Sequence, residues 1–144
     1  MSDTLPDPQA PFADKLAYLY GLRRHRLFRA DPDFRDGYLA FLARLGNPHE
    51  NLPPVVHVAG TNGKGSTVAF IRAMAEAGGR RCHVYTSPHL IRFNERIAVA
   101  GQEATDEKLD AALSEILEKI RDFPVALTFF EITTAAALLL FARH

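Results

Sequence analysis

The residues with the most evident chemistry form one run, Gly60-Thr61-Asn62-Gly63-Lys64-Gly65-Ser66-Thr67. Glycines, a lysine and three hydroxyls in so short a stretch suit a phosphate chain. Glycine admits the backbone conformations that turn consecutive N–H groups to one side. Where a helix starts, its N-terminus adds aligned N–H donors and a partial positive charge. Lys64 supplies a point charge for outer phosphates, and Ser66 or Thr67 a hard oxygen for magnesium. The spacing departs from the general P-loop pattern: two residues rather than four separate Gly60 from Gly63, and Gly65 stands between Lys64 and the hydroxyl. It is not a dinucleotide fingerprint either, because Gly60, Gly63 and Gly65 have the wrong order of spacings. The competing reading is a glycine-rich strand-to-helix turn with an exposed lysine.

Further residues invite the same question. Ser87-Pro88-His89 follows an apolar run, and by itself Ser87 reads as a hydroxyl that opens a Ser-Pro turn. His89 is loop-borne, whereas His57 inside an apolar run reads as a hydrogen-bonded core residue. Cys82 and His83 are strand neighbours, so they point to opposite faces and make no metal pair. Arg92, Asn94, Glu95 and Arg96 form a mixed-charge loop. They read either as solvated ion pairs or as the group that orders the 86–89 loop over a substrate. Thr128 and Glu131 have the spacing of a capping box, which alone accounts for both. Phe129 and Phe130 read as core or as an aromatic platform.

These residues need elements to position them. Val55–Ala59 follows Pro53-Pro54 and reads as a buried strand. From Ser66 the pattern turns helical: Phe70, Ile71, Met74 and Ala77 share a face, and Gly78-Gly79 ends it. Cys82–Thr86 reads as a second strand. Strand, helix and strand within about 30 residues predict a βαβ unit with parallel strands. The expected fold is therefore α/β, with a P-loop-containing parallel βαβ core and a helical segment before it. Residues 1–11 read as a loose tail. Phe12, Leu16, Leu19 and Tyr20 predict a helix over roughly 12–22. A basic link, Arg23–Arg26, follows, and Tyr38, Phe41, Leu42 and Leu45 predict a second helix stopped by Gly46 and Asn47-Pro48.

Downstream, Ile97, Val99 and a turn at Gly101 predict a short strand or hairpin. Thr105 caps the next helix, with Asp106 and Glu107 where the helix dipole favours them. Leu109, Ala112, Leu113, Ile116, Leu117 and Ile120 form its buried stripe, and Glu115 and Lys119 an i,i+4 pair on its wet face. A final helix opens at Thr128 and is apolar on nearly every side. Ile132, Leu138, Leu139, Leu140 and Phe141 do not share one stripe, so an uncovered apolar patch is expected on it, beside the second strand. The expected division is a tail and helical segment, 1–53, and an incomplete nucleotide-binding α/β domain, 54–144.

Composition narrows the function. The 144 residues hold 17 Lys plus Arg and 17 Asp plus Glu, a net charge of zero. That balance argues against nucleic acid or a membrane surface as the main partner. With 47% hydrophobic and 24% charged residues the chain is too apolar to be disordered. The single cysteine, Cys82, makes neither an internal disulfide nor a zinc site alone. The acidic, proline-rich start is no signal peptide, and a cytoplasmic setting fits best. Ile132–Ala142 is apolar but too short to span a bilayer.

GTNGKGST after a hydrophobic strand resembles the Mur ligase superfamily of ATP-dependent amide-forming ligases. YTSPHLIRFNERI, LGNPH before the first strand and LTFFEITT after the amphipathic helix are similar to its folate branch, the folylpolyglutamate synthase/dihydrofolate synthase family. The resemblance covers about residues 40–144. It implies the superfamily's central-domain fold and an enzyme using ATP and Mg2+ to turn a carboxylate into an acyl phosphate. The amine of L-glutamate then attacks, phosphate leaves and an amide forms, the acid being dihydropteroate or a reduced folate. By the same resemblance Gly60, Thr61, Asn62, Gly63, Lys64, Gly65 and Ser66 hold ATP, and Ser87 ligates magnesium. Thr128, Phe129, Phe130 and Glu131 line the pterin site.

The family's short D-L-G-L segment near the pterin has no clean match around residues 21–35. Its acidic magnesium ligand before a Gly-Gly loop, its later histidine ligand, its modified lysine and its C-terminal domain have no counterpart here. The chain is therefore expected to be the N-terminal part of a longer, monomeric enzyme, to carry no assigned catalytic residue and to be inactive alone. The alternatives are another Mur-type amide ligase, against which YTSPHL with RFNERI stands, and a non-catalytic P-loop nucleotide-binding module.

Overall fold

The computed structural model describes residues 4–25 and 34–144. Its helices are α1 (Phe12–His25), α2 (Phe34–Arg44), α3 (Lys64–Ala77), α4 (Asp106–Ile120) and α5 (Phe129–Ala142). Its strands are β1 (Val84–Tyr85), β2 (Ile97–Val99) and β3 (Gln102–Glu103), and single 3-10 turns span Pro48–Glu50 and Phe93–Arg96. The core lies where α4 meets α5, with α1 against both, α2 against α4, and the Pro48–Glu50 turn against α5.

Local rules explain the best-formed elements. Thr105 Oγ1 accepts from Lys108 N at 3.4 Å and starts α4. The stripe Leu109, Ala112, Leu113, Ile116 and Leu117 is buried as expected. Burying each large apolar side chain stabilises by about 1.5–3 kcal/mol. α5 opens on a complete capping box: Glu131 N donates to Thr128 Oγ1 at 3.2 Å, and Thr128 N to Glu131 Oε2 at 2.6 Å. α1 extends past its expected end, to His25, so Arg23 and Arg24 lie in the helix and Arg26 lies outside the described residues. A buried lysine fastens α1 to α4. Lys15, 1% exposed, donates to Asp110 Oδ1 at 2.6 Å and Ser114 Oγ at 2.7 Å. Both partners are needed, because an ammonium left unpaired in a core is strongly destabilising.

The sheet is an antiparallel meander in the order β1-β2-β3. Val84 pairs with Ala98 and Tyr85 with Ile97; Ala98 pairs with Glu103 and Val99 with Gln102. The β2–β3 turn has two central residues at positive φ, Ala100 at 50° and Gly101 at 89°. This is the pattern whose twist suits a two-residue hairpin. The hairpin tip is well held: Ala100 N donates to His83 Nδ1 at 3.1 Å, and Gly101 N to Cys82 O at 2.8 Å.

Several expectations need correction. Residues 55–59 form no strand, and among the described residues the parallel pairing expected of the βαβ unit is not made: β1 pairs there only with β2, antiparallel. Val55 and Val56 are about 70% exposed (70% and 68%) and His57 is exposed, so His57 is no core residue. A parallel strand needs ladder partners and cover on both faces, and this run has neither among the described residues. α3 forms, from Lys64 rather than Ser66, yet none of its residues is buried, and Phe70 and Met74 face solvent.

The final helix is covered, not bare. Ile132, Ala135, Ala136, Ala137 and Leu139 are buried, with Leu138, Leu140 and Phe141 packed against the core. Small alanines let α4 and the Pro48–Glu50 turn approach closely from different sides, so no single stripe was required. Finally, Glu115 does not wait for Lys119. It takes a bidentate pair from Arg143, Nη1 to Oε2 at 2.7 Å and Nη2 to Oε1 at 2.8 Å, closing the end of α5 onto α4. Among the described residues no helix is long and apolar enough to cross a membrane.

Candidate functional site

The glycine turn is built for exposure. Gly60 has φ 150° and Gly63 φ 76°, and Gly63 is the N-cap of α3 in the left-handed region. No side chain caps this end, so the first N–H groups of the helix are left for water or an anion. The Lys64 ammonium folds back over the turn, donating to the carbonyls of Gly60 and, at 3.3 Å, Thr61. Thr67 Oγ1 donates to Gly63 O at 2.9 Å. That bond commits Thr67 to the helix and leaves exposed Ser66 as the better-placed hydroxyl of the pair.

Ser87 is exposed in the loop after β1, at a cis Ser87–Pro88 bond. Of the mixed-charge residues behind it, Asn94, Glu95 and Arg96 frame this loop, while Arg92 makes an exposed ion pair. Asn94 is buried and donates through Nδ2 to Ala104 O at 3.0 Å and Asp106 Oδ1 at 2.7 Å. The Glu95 carboxylate gathers three backbone donors, Leu90 N at 2.7 Å, Ile91 N at 3.0 Å and Arg92 N at 2.7 Å. Hydrogen bonds from the Arg92 and Leu90 amides hold its carboxyl below the usual range. Arg96 is buried and donates from Nε to His89 Nδ1 at 2.6 Å. Arg92, by contrast, reaches outward to Glu103 at 2.5 Å.

The 128–131 segment splits by exposure. Phe129 is buried in an aromatic cluster: stacked on Tyr20 with centroids 6.0 Å apart, edge-on to Phe93 at 6.4 Å, and under the Arg96 guanidinium at 5.1 Å. Phe130 is 56% exposed and leans toward Tyr85, 6.1 Å away. So Phe129 is core and Phe130 is the ring that can serve as a platform. Glu131 is buried, its Oε2 spent on the cap and its backbone carbonyl accepting from Tyr38 OH at 3.1 Å. Burial and the Glu131 charge push the Tyr38 phenol pKa up, which keeps it a donor. Tyr85 OH meets Thr133 Oγ1 at 2.8 Å and Thr134 Oγ1 at 3.3 Å, tying β1 to α5.

The structure thus joins two of the three expected site pieces. The Ser87 loop and the 128–131 segment meet through His89, Arg96 and Phe129. The glycine turn makes no hydrogen bond, ion pair or ring contact with either among the described residues. α3 is tied instead to the hairpin tip, by Arg72 Nη2 donating to Gly101 O at 2.6 Å. Tyr20 was missed as a site-building residue, because it looked like ordinary helix stripe. Arg96 stood among the mixed-charge residues that could order the 86–89 loop, but its burial and its hold on His89 were not evident from the sequence. No group of three His, Cys, Asp or Glu among the described residues is arranged to hold a metal. The donors present, the hydroxyls of Ser66 and Ser87, fit Mg2+ shared with phosphates and water, not a protein cage.

Comparison with known proteins follows the same lines. No protein-family model matches the chain. It superposes on Escherichia coli FolC in complex with DHPP and ADP with a TM-score of 0.81 and 36% identity, covering 96% of this chain and 32% of that one. A bifunctional folylpolyglutamate synthase/dihydrofolate synthase with Mn, AMPPNP and L-glutamate bound gives a TM-score of 0.81 and 34% identity, covering 97% and 32%. The dihydrofolate synthase/folylpolyglutamate synthase of Bacillus subtilis is 45% identical over 106 residues, 71% of this chain and 24% of that protein. The fold is accordingly a part of the Mur-ligase-type α/β fold. Within that class the chain belongs to the dihydrofolate synthase/folylpolyglutamate synthase family. It spans only 24–32% of the length of these relatives.

Proposed function

We propose that this chain is the N-terminal, nucleotide-holding part of an ATP- and magnesium-dependent ligase that adds L-glutamate to dihydropteroate, to reduced folates, or to both. The observation that carries the reading is the uncapped α3 N-terminus behind the Gly60–Ser66 turn, with one lysine folded over it. A phosphate entering the turn competes with two neutral carbonyls for the Lys64 ammonium and offers a stronger, charge-assisted bond. Gly60, Thr61, Asn62, Gly63, Lys64, Gly65 and Ser66 then hold ATP. Ser87 offers a hydroxyl to Mg2+, which when bound would neutralise phosphate charge. The segment Thr128–Glu131 faces the pterin, Phe130 through its ring and Glu131 through Oε1, which takes no part in the cap. Residues 1–53 act as a helical support and 54–144 as the ATP-binding part. The likeness to proteins solved with ADP and DHPP, and with Mn, AMPPNP and L-glutamate, supports this substrate set. The lone cysteine supports a cytoplasmic setting, and the full-length enzyme is read as a monomer.

The test is phosphate release by a protein of the relatives' length that carries this chain. Release should require both L-glutamate and dihydropteroate or a reduced folate, and a muropeptide acid should not replace them. Lys64→Ala should lower kcat/KM roughly 30- to 1,000-fold, equivalent to about 2–4 kcal/mol of transition-state stabilisation. Turnover of the muropeptide acid but not the folate would overturn the substrate class. Activity of Lys64→Ala within a few-fold of wild type would remove Lys64 from the mechanism.

A further inference from the structure

The loop that carries Ser87 has no ladder or helix of its own, so something else must fix it. The consecutive residues Asn94, Glu95 and Arg96 do so. Asn94 seats their 3-10 turn against Ala104 and the start of α4. Glu95 gathers the amides of residues 90–92. Arg96 grips both flanks of Ser87: its backbone carbonyl accepts from Thr86 N at 2.9 Å, and its Nε donates to His89 Nδ1 at 2.6 Å.

The side-chain half of this grip is unusually committed. Arg96 is 2% exposed and its guanidinium lies over the Phe129 ring. A buried guanidinium is costly unless its donors are met, so His89 cannot swing away without loss. Donation into Nδ1 also fixes His89 as the tautomer protonated on Nε2. That nitrogen lies 3.4 Å from Tyr20 OH, and the His89 and Tyr20 rings meet edge-on at 5.9 Å. Tyr20 in turn stacks on Phe129. The contacts close into a ring around one arginine, with Ser87 between its two fixed neighbours.

We infer that Arg96 is a positioning residue for Ser87, holding Thr86 and His89 so that the intervening hydroxyl stays fixed beside the metal–nucleotide. The second half of that statement rests on the function proposed above; the clamp itself does not.

Backbone 15N relaxation on the 144-residue chain separates the two. Ser87 in the wild type should behave as rigid backbone, with an order parameter near about 0.85, and His89 should show one protonated and one unprotonated ring nitrogen. In Arg96→Met the Ser87 order parameter should fall below about 0.6, while amides of α4 stay ordered. His89→Ala, which opens only the side-chain half, should loosen Ser87 in the same direction. His89→Gln, which restores an acceptor, should recover order. If Arg96→Met does not fold, the two His89 variants decide. Ser87 that is mobile in the wild type, or equally ordered in Arg96→Met and His89→Ala, overturns the clamp. Mn2+ with AMPPNP is the second probe. It should broaden the Ser87 amide in the wild type and require at least tenfold more Mn2+ in the loosened variants. Loss of order without any Mn2+ effect in the wild type would keep the clamp and sink the metal role of Ser87.

Discussion

The glycine turn with α3 and the Ser87 loop with its frame stand at opposite structural extremes. Each serves the proposed reaction. The turn is shaped within its own few residues: positive φ at Gly63, an uncapped helix start, and a lysine lying across the turn's carbonyls. Nothing in α3 is buried. The Ser87 loop is shaped almost wholly by side chains of the following 3-10 turn, among them the buried Asn94 and the buried, charged Arg96. A phosphate cradle needs N–H groups on the surface, and glycine sequence suffices to present them. A single hydroxyl facing a metal needs its neighbours immobilised, and that takes a packed frame.

The difference can be broken most directly by stability. Leu113 is fully buried in α4, and Leu113→Ala should cost about 2–5 kcal/mol in urea unfolding. Phe70→Ala on α3 removes a larger but exposed side chain and should stay within about 0.5 kcal/mol of wild type. Equal losses would mean that α3 shares the core. Next comes the cap that links helix formation to the 128–131 segment: Thr128→Ala should cost about 1 kcal/mol, read as a lower urea midpoint with unchanged slope. A midpoint unmoved by this change would show the capping box to be idle.

A smaller effect, of opposite sign, belongs to the hairpin tip that anchors α3. Ala100 sits at φ 50°, a conformation that costs an L-residue about 1–2 kcal/mol. Ala100→Gly should therefore stabilise by about 0.5 kcal/mol after glycine's entropic penalty; a lower melting temperature would contradict the strain. The smallest effect is in pH. Burial first, then His144 and Arg81, hold the His83 pKa below its usual 6.5. The unfolded chain then binds more protons than the folded one just below that value. Stability contributed by neutral His83, which accepts from Ala100 N, should be intact above pH 6.5 and decline as pH falls through the window beneath it. The decline should vanish in His83→Gln when urea midpoints at the two ends of the window are compared.

What could be read from residues alone follows the same division. Capping at Thr105 and Thr128, the stop at Gly78, the α4 stripe and the hairpin at Gly101 are local: each is set within a few positions by dihedral and hydrogen-bond rules. Tertiary choices were not legible. Glu115 had a neighbour of the right sign at Lys119 and paired with Arg143 instead, because a bidentate fork across two packed helices outbids a flexible exposed pair. Nothing local to Lys15 marks it for burial, and only the approach of Asp110 and Ser114 from α4 makes that burial tolerable. The glycine turn and its helix were legible as chemistry. The strand before them was not, since Val55–Ala59 has strand composition but, among the described residues, no ladder partner to make it one.

That unpaired run has a practical consequence. Residues 53–57 are exposed, and 55–59 lie in no helix and in no ladder among the described residues, the kind of segment that proteases nick first. Cleavage there would sever the chain's connection without separating its halves, because α1 and α2 on one side of the cut pack against α4 and α5 on the other. Brief digestion should therefore leave a nicked molecule that still travels as one particle under native conditions and resolves into two bands only when denatured.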